Sequence, residues 1–209
     1  MYRIAVLISG SGSNLQALID KIESGYLDCT IECIISDKKD VFGLKRAEEH
    51  DIKTYVLEKK EYGRGLADAV YAIVKGKVDL IVLAGFLSIL EGDILKEFRN
   101  RIINIHPSLI PSFCGSGMYG IKVHEAAVKS GVKISGCTVH FVDEGTDTGP
   151  IILQKTVPVH YEDDARALQL RVLEQEHSAL PEAVKLLSEG RVNVLHNRVQ
   201  ISGWEDIDD

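Results

Sequence analysis

Asn104 and His106 are residues around which chemistry can be built. They end the run Ile102-Ile103-Asn104-Ile105-His106-Pro107-Ser108, which is apolar at first, then polar, and is stopped by Pro107. In a strand, residues two apart point to the same face, so Asn104 and His106 project together. Asn can donate to an oxygen that is gaining charge, and His can carry a proton near neutral pH. A donor beside a proton carrier suits attack on a carbonyl carbon. A solvated pair at a strand edge would use the same two residue types, so these residues alone leave both readings open. Asp147 lies in the acidic loop Asp143-Glu144-Gly145-Thr146-Asp147-Thr148-Gly149-Pro150. Aimed at His106, its carboxylate would orient the ring and favour its charged form. Asp143, Glu144 and Asp147 would equally serve as ordinary loop residues in water.

A second chemical candidate is Gly10-Ser11-Gly12-Ser13-Asn14. It follows the apolar run Arg3 to Ser9 and precedes Leu15, Leu18, Ile19 and Ile22 at helical spacing. Strand, glycine-rich turn and helix form a phosphate cradle, because glycines admit an anion to the backbone and helix N-terminal amides point at it. Ser13 or Asn14 could instead cap the helix. Leu15 stands where a dinucleotide fingerprint has its last glycine, and no lysine follows as in a Walker loop. A mononucleotide-sized phosphate ligand is favoured.

The remaining elements have to position these groups. Continuous apolar runs at Arg3 to Ser9 and Asp79 to Gly85 read as parallel strands covered on both faces. Ile31 to Ser36 and Lys53 to Leu57 read as two more strands, with a helix around Leu44 and Ala47 between them and another from about Tyr62 to Lys75 carrying Arg64. Gly85-Phe86-Leu87-Ser88-Ile89-Leu90 follows the fourth strand, an apolar segment suited to a flat aromatic ligand or to plain core. Residues 111–120 hold three glycines and a proline and read as a flexible lid. Val123 to Lys129 is expected as a helix ended by Gly131, and Ile134 to Val142 and Ile151 to Val159 as neighbouring strands, with His140 on the first. A long helix spans Asp163 to Glu189, kinked or split at Pro181, and a hairpin closes around Asn197-Arg198.

Composition narrows the class. The chain has 209 residues, 45% hydrophobic and 26% charged, with a formal net charge of −7. That is ordinary for a globular protein and, with no basic run, argues against a nucleic-acid surface. The longest apolar run, Leu80 to Leu90, is too short to span a bilayer, and no signal peptide is expected before the first strand. The four cysteines, Cys29, Cys33, Cys114 and Cys137, fit no zinc spacing and no disulfide framework, so unpaired thiols and a cytoplasmic home are expected.

Six motifs occur in order: Gly10 to Asn14, Leu83-Ala84-Gly85-Phe86, Asn104 to Pro111, Thr138 to Val142, Asp147 to Ile152 and Gln175-Glu176-His177. Together they resemble the phosphoribosylglycinamide formyltransferase family, over almost the whole chain. The resemblance implies an α/β, Rossmann-like formyltransferase fold: a mostly parallel twisted sheet with helices on both faces and an antiparallel C-terminal portion. It implies one domain, with a phosphate-binding half at 1–100 and a catalytic and folate-site half at 101–209. It implies formyl transfer from 10-formyltetrahydrofolate, as co-substrate, to the amine of glycinamide ribonucleotide in de novo purine biosynthesis. By resemblance Asn104, His106 and Asp147 match the catalytic trio, and Gly12, Ser13, Asn14 and Glu176 the ribonucleotide side. Arg64, Leu87, Ser88, Ile89, Leu90, Asn104, Val142, Asp143 and Asp147 match folate-contacting positions. No metal, nucleic acid or membrane is implied, and the protein is expected as a monomer or homodimer. Two departures stand out: Ser88 replaces the arginine many members carry, and the loop from Ser112 to Lys122 is longer and richer in glycine. A formyltetrahydrofolate hydrolase and a non-catalytic nucleotide-binding module are the rival readings.

Overall fold

The computed structural model describes residues 1–203; the acidic tail from Trp204 lies outside the described residues. The chain divides into two compact units, one of residues 1–104 with 142–144, the other of residues 105–141 and the chain from Gly145 onward.

The first unit is a parallel sheet. Its strands are β1 (Tyr2–Ile8), β2 (Cys29–Ser36), β3 (Thr54–Val56), β4 (Leu80–Leu83) and β5 (Ile102–His106), in the order β3-β2-β1-β4-β5. Every one of the four pairings is parallel. Residues Ile4 to Ile8 and Leu80 to Val82 are fully buried, so both faces of the central strands are covered. One face takes Ala5, Leu7, Cys33, Ile35, Ile81 and Leu83, under Leu66, Val70 and Val74 of α4 (Leu66–Val74) and Ile94 of α5 (Asp93–Glu97). The other face takes Ile8, against which Gly43 of α2 (Phe42–Glu49) sits so closely that a Cβ there would meet the Ile8 Cδ1 at 2.5 Å.

The helix expected from Tyr62 is corrected here, and one short helix is added. The helix foreseen from about Tyr62 is interrupted: α3 (Lys59–Tyr62) stops at Gly63, whose φ of 52° no α-helix allows, and residues 63–65 form a short 3₁₀ turn before α4. Arg64 therefore lies on that turn and is exposed. The five-residue α5 was not foreseen, being too short to show a helical period.

The second unit holds α6 (Ile121–Ser130), β6 (Ile134–Phe141), β7 (Ile151–Pro158), α7 (Ala165–Ser188) and the hairpin β8 (Val192–Leu195) with β9 (Arg198–Ile201). Strands β6 and β7 are antiparallel, as expected from the short loop between them. Gly131 ends α6 in the left-handed region at φ 70°. Asp164 caps α7, its side chain accepting the Ala167 N–H at 2.7 Å. Pro181 does not split α7, which runs unbroken for 24 residues. Leu168, Val172 and Leu180 before the proline and Ala183 and Val184 after it are all fully buried, so one apolar face holds both halves in place. All four cysteines are unpaired. Among the described residues no helix is long and apolar enough to cross a membrane.

Candidate active site

The last strand of the parallel sheet, β5, ends on His106, which is 4% exposed. Asn104 lies two positions earlier and is half-buried. The chain then turns and is fastened to its own surroundings. The buried Thr138 hydroxyl on β6 donates to the Ser108 carbonyl at 2.6 Å and accepts the Ile110 N–H at 3.1 Å. Gln154 of β7 donates to the Ile110 carbonyl and to the Thr138 hydroxyl, each at 3.0 Å. The Ser108 hydroxyl donates to the Ser112 carbonyl at 2.6 Å. These bonds leave the turn little freedom, which is what a reacting side chain needs from its support.

His106 is held at both nitrogens. Its Nε2 lies 3.0 Å from the Phe113 carbonyl, which can only accept, so Nε2 carries a hydrogen. Its Nδ1 lies 3.6 Å from Asp147 Oδ2, an ion-pair distance. Asp147 is itself oriented: the Gly115 N–H donates to Oδ2 at 2.9 Å. Asp147 and Phe113 adopt φ values of 58° and 51°, a left-handed conformation that side chains other than glycine adopt at a cost. The two strained residues are the ones that present a carboxylate and a carbonyl to the ring. Cys114 is no rival nucleophile: its Sγ donates to the Pro111 carbonyl at 3.3 Å, and burial first, then Asp147, push its pKa up.

The glycine-rich turn also takes shape. Gly12 is the residue before α1 (Ser13–Glu23), at φ 70°, and no side chain caps that helix, so Ser13 and Asn14 sit inside its first turn. The first helical bond runs from the Gln16 N–H to the Gly12 carbonyl at 2.9 Å, and the amides ahead of it precede the ladder. Gly12 is needed for a second reason. A Cβ there would stand 2.6 Å from the Gly43 Cα, while Gly43 donates its N–H to the Gly10 carbonyl at 3.1 Å. Arg46 adds a bond to the Ser11 carbonyl at 3.0 Å.

The segment after β4 alternates. Leu87 and Ile89 are exposed, while Ser88 and Leu90 are buried. The Ser88 hydroxyl is spent on Asp37 Oδ2 at 2.6 Å, and the Leu87 N–H on the Ser9 hydroxyl at 2.8 Å. Val142 and Asp143 are half-buried, with Val142 packed against the core under β4. Glu176 on α7 is 8% exposed and lies near Cys137, whose thiol is pushed up to about 12 by burial first and Glu176 second.

Several working residues escaped the sequence reading. Thr138, Gln154 and Ser108 act through hydrogen bonds between elements, and no spacing along the chain announces those. Asp37, which takes the Ser88 hydroxyl, is buried at the end of β2 with no spacing that announces it. His124 is the largest omission. It is 1% exposed on α6, its Nδ1 has no hydrogen-bond partner, and burial, with His106 adding to it, brings its pKa down to about 4. Unfolded, it would titrate near 6.5. Above pH 6.5 the ring is neutral in both states and contributes no pH dependence. As pH falls from 6.5 to 4 the unfolded chain takes up a proton that the folded chain refuses, so stability is lost; below 4 the loss levels off. The loss amounts to about 3 kcal/mol. Urea unfolding between pH 7 and pH 4 will therefore fall less steeply with acid in His124→Leu than in the unaltered protein, and parallel slopes would contradict this account.

Residues 2–184 match the formyl transferase family. The phosphoribosylglycinamide formyltransferase of Haemophilus influenzae is 40% identical over 206 residues, spanning 97% of this chain and 95% of that one. The crystal structure of glycinamide ribonucleotide transformylase 1 from Symbiobacterium toebii superimposes with a TM-score of 0.90 at 42% identity, over 96% of this chain and 94% of that one. A formyltetrahydrofolate deformylase from Pseudomonas syringae reaches a TM-score of 0.86 at 30% identity, over 96% of this chain and 65% of that one. The trifunctional purine biosynthetic protein of Gallus gallus is 43% identical over 92% of this chain, which spans 19% of its length. In sequence and in fold, the chain belongs to the formyl transferase family.

Proposed function

We propose that the protein transfers the formyl group of 10-formyltetrahydrofolate to the amine of N1-(5-phospho-D-ribosyl)glycinamide, giving the N2-formyl product and tetrahydrofolate, in de novo purine biosynthesis. The observation that carries this reading is the buried His106 held between Asp147 and a backbone carbonyl, two positions after Asn104. The likeness to phosphoribosylglycinamide formyltransferase over nearly all of both chains supports it. The substrate amine attacks the formyl carbon, and the carbonyl oxygen takes the negative charge. Asn104 and the His106 Nε2–H donate to that oxygen. The formyl oxygen takes over the acceptor position that the Phe113 carbonyl holds here. As the bond from the formyl carbon to folate nitrogen breaks, the attacking amine gives up a proton and the leaving nitrogen gains one, with His106 as the carrier. Asp147 keeps the ring turned for both steps. Protein groups suffice for this, without a metal or a covalent enzyme intermediate.

For binding, Gly12, Ser13 and Asn14 receive the phosphate, and Glu176 the ribose hydroxyls. Arg64, Leu87 to Leu90, Val142 and Asp143 take the folate. Because Ser88 is buried on Asp37, its contribution there is the backbone, with the exposed Leu87 and Ile89 offering apolar surface. Residues 1–209 act as one domain, on small molecules in the cytoplasm, where four unpaired thiols are at home.

Formyltetrahydrofolate hydrolysis is the reading to exclude, given the structural likeness to the deformylase. Purified protein with 10-formyltetrahydrofolate will release tetrahydrofolate only when the ribonucleotide is added, with formylated product in equal amount. Release at the same rate without the amine would assign the hydrolase.

A further inference from the structure

We propose that His140 is a positioning residue of this site, holding Asp147 in the orientation that His106 requires; the proposal rests on the formyl-transfer reading above. His140 lies on β6 and is 2% exposed. Its Nδ1 is 2.8 Å from the Phe141 carbonyl, which can only accept, so Nδ1 carries a hydrogen and the ring is fixed from behind. Its Nε2 faces Asp147 Oδ1 at 3.7 Å. The two oxygens of Asp147 thus have separate duties. Oδ2 takes the Gly115 N–H and faces His106, and Oδ1 faces His140.

An independent backbone feature points the same way. The β6–β7 register shifts between Val139 and His140, a bulge that interrupts the regular alternation of side chains along β6. The bulge falls at His140, and the left-handed Asp147 presents its carboxylate 3.7 Å from that ring. A carboxylate held from one side only could rotate about its own side chain. Held by the His140 imidazolium, the form of the ring with an N–H for both the Phe141 carbonyl and Oδ1, and by an amide at Oδ2, it keeps one face for His106.

Two replacements separate this role from a purely structural one. Asparagine places an amide where Nδ1 was and keeps the bond to the Phe141 carbonyl, but removes the ring nitrogen that faces Asp147 Oδ1. Glutamine reaches the Nε2 position and keeps a donor for Asp147. His140→Asn will lower kcat on the order of 10- to 10²-fold with KM for both substrates nearly unchanged, as expected of a small misplacement of a reacting group. His140→Gln will keep most of the activity. In an Asp147→Asn background, His140→Asn will add little further loss. Equal losses in the two His140 variants, or full activity in a folded His140→Asn, would overturn the proposal. A second measurement does not depend on those variants folding. In ¹⁵N-histidine NMR spectra the His140 Nε2 signal will move on Asp147→Asn, and a signal that stays put would also overturn it. This arm needs no substrate, so a protein that transfers no formyl group would sink the proposed function without touching this inference.

Discussion

His106→Ala will reduce kcat for formyl transfer about 10²–10⁴-fold, the usual contribution of a positioned acid–base group. Asp147→Asn will reduce it by a comparable factor, and the double variant will be little worse than His106→Ala alone. The reason is geometric. Asp147 is placed to face His106 Nδ1 at 3.6 Å, and the opposite nitrogen donates outward at 3.0 Å. An imidazolium is the form of the ring with an N–H for both partners. Asn at 147 keeps the shape and can still accept the Gly115 N–H through its amide oxygen, so the loop survives and only the charge beside the ring is removed. Residues that act as a unit lose activity non-additively. The measurement is a double-mutant cycle on kcat, with KM for the ribonucleotide followed alongside. Fully additive losses would mean that Asp147 acts on something other than His106.

The parts of this site that lie close together in sequence were legible in the sequence. Asn104 and His106 are two positions apart on one strand, and the period of a strand alone puts them on one face. The runs Arg3 to Ser9 and Asp79 to Gly85 announced buried parallel strands by having no polar alternation, and β1 and β4 are that. What pairs His106 with Asp147, about forty residues further on, has no local signature; it came from the resemblance and not from spacing. The same holds for His140, whose approach to Asp147 is a contact made across the loop after β6. Failures of the local reading have local causes. Of the two outcomes expected at Pro181, the split does not occur: the residue costs about 3 kcal/mol in an isolated helix, yet the buried face of α7 keeps the helix continuous. Gly63 and Gly65 were read through as helix because the apolar positions of α4 that follow them are so regular. Ser13 and Asn14 were plausible caps by type, but the left-handed Gly12 takes the position before the helix instead.

The largest structural loss is expected at Thr138, which no chemistry of its own would single out. Its hydroxyl is fully buried and serves three partners at once: it donates to the Ser108 carbonyl and accepts from the Ile110 N–H and the Gln154 side chain. Valine has nearly the same shape and none of these bonds. Thr138→Val leaves the buried Ser108 carbonyl and the half-buried Ile110 N–H without that partner, at about 1–3 kcal/mol for each group left unsatisfied. The total loss of stability is roughly 4 kcal/mol, read as a lower urea midpoint with an unchanged slope. Activity falls with it, because the Ser108 to Ile110 turn carries the chain directly from His106 into the Phe113 loop. Thr138→Ser keeps the hydroxyl and loses one methyl, a cost nearer 1 kcal/mol. Kinetics under conditions where Thr138→Val is still folded separate the two effects. A fully folded Thr138→Val with unaltered kcat would show that the turn does not depend on this hydroxyl, and a Thr138→Ser variant as unstable as Thr138→Val would assign the loss to packing.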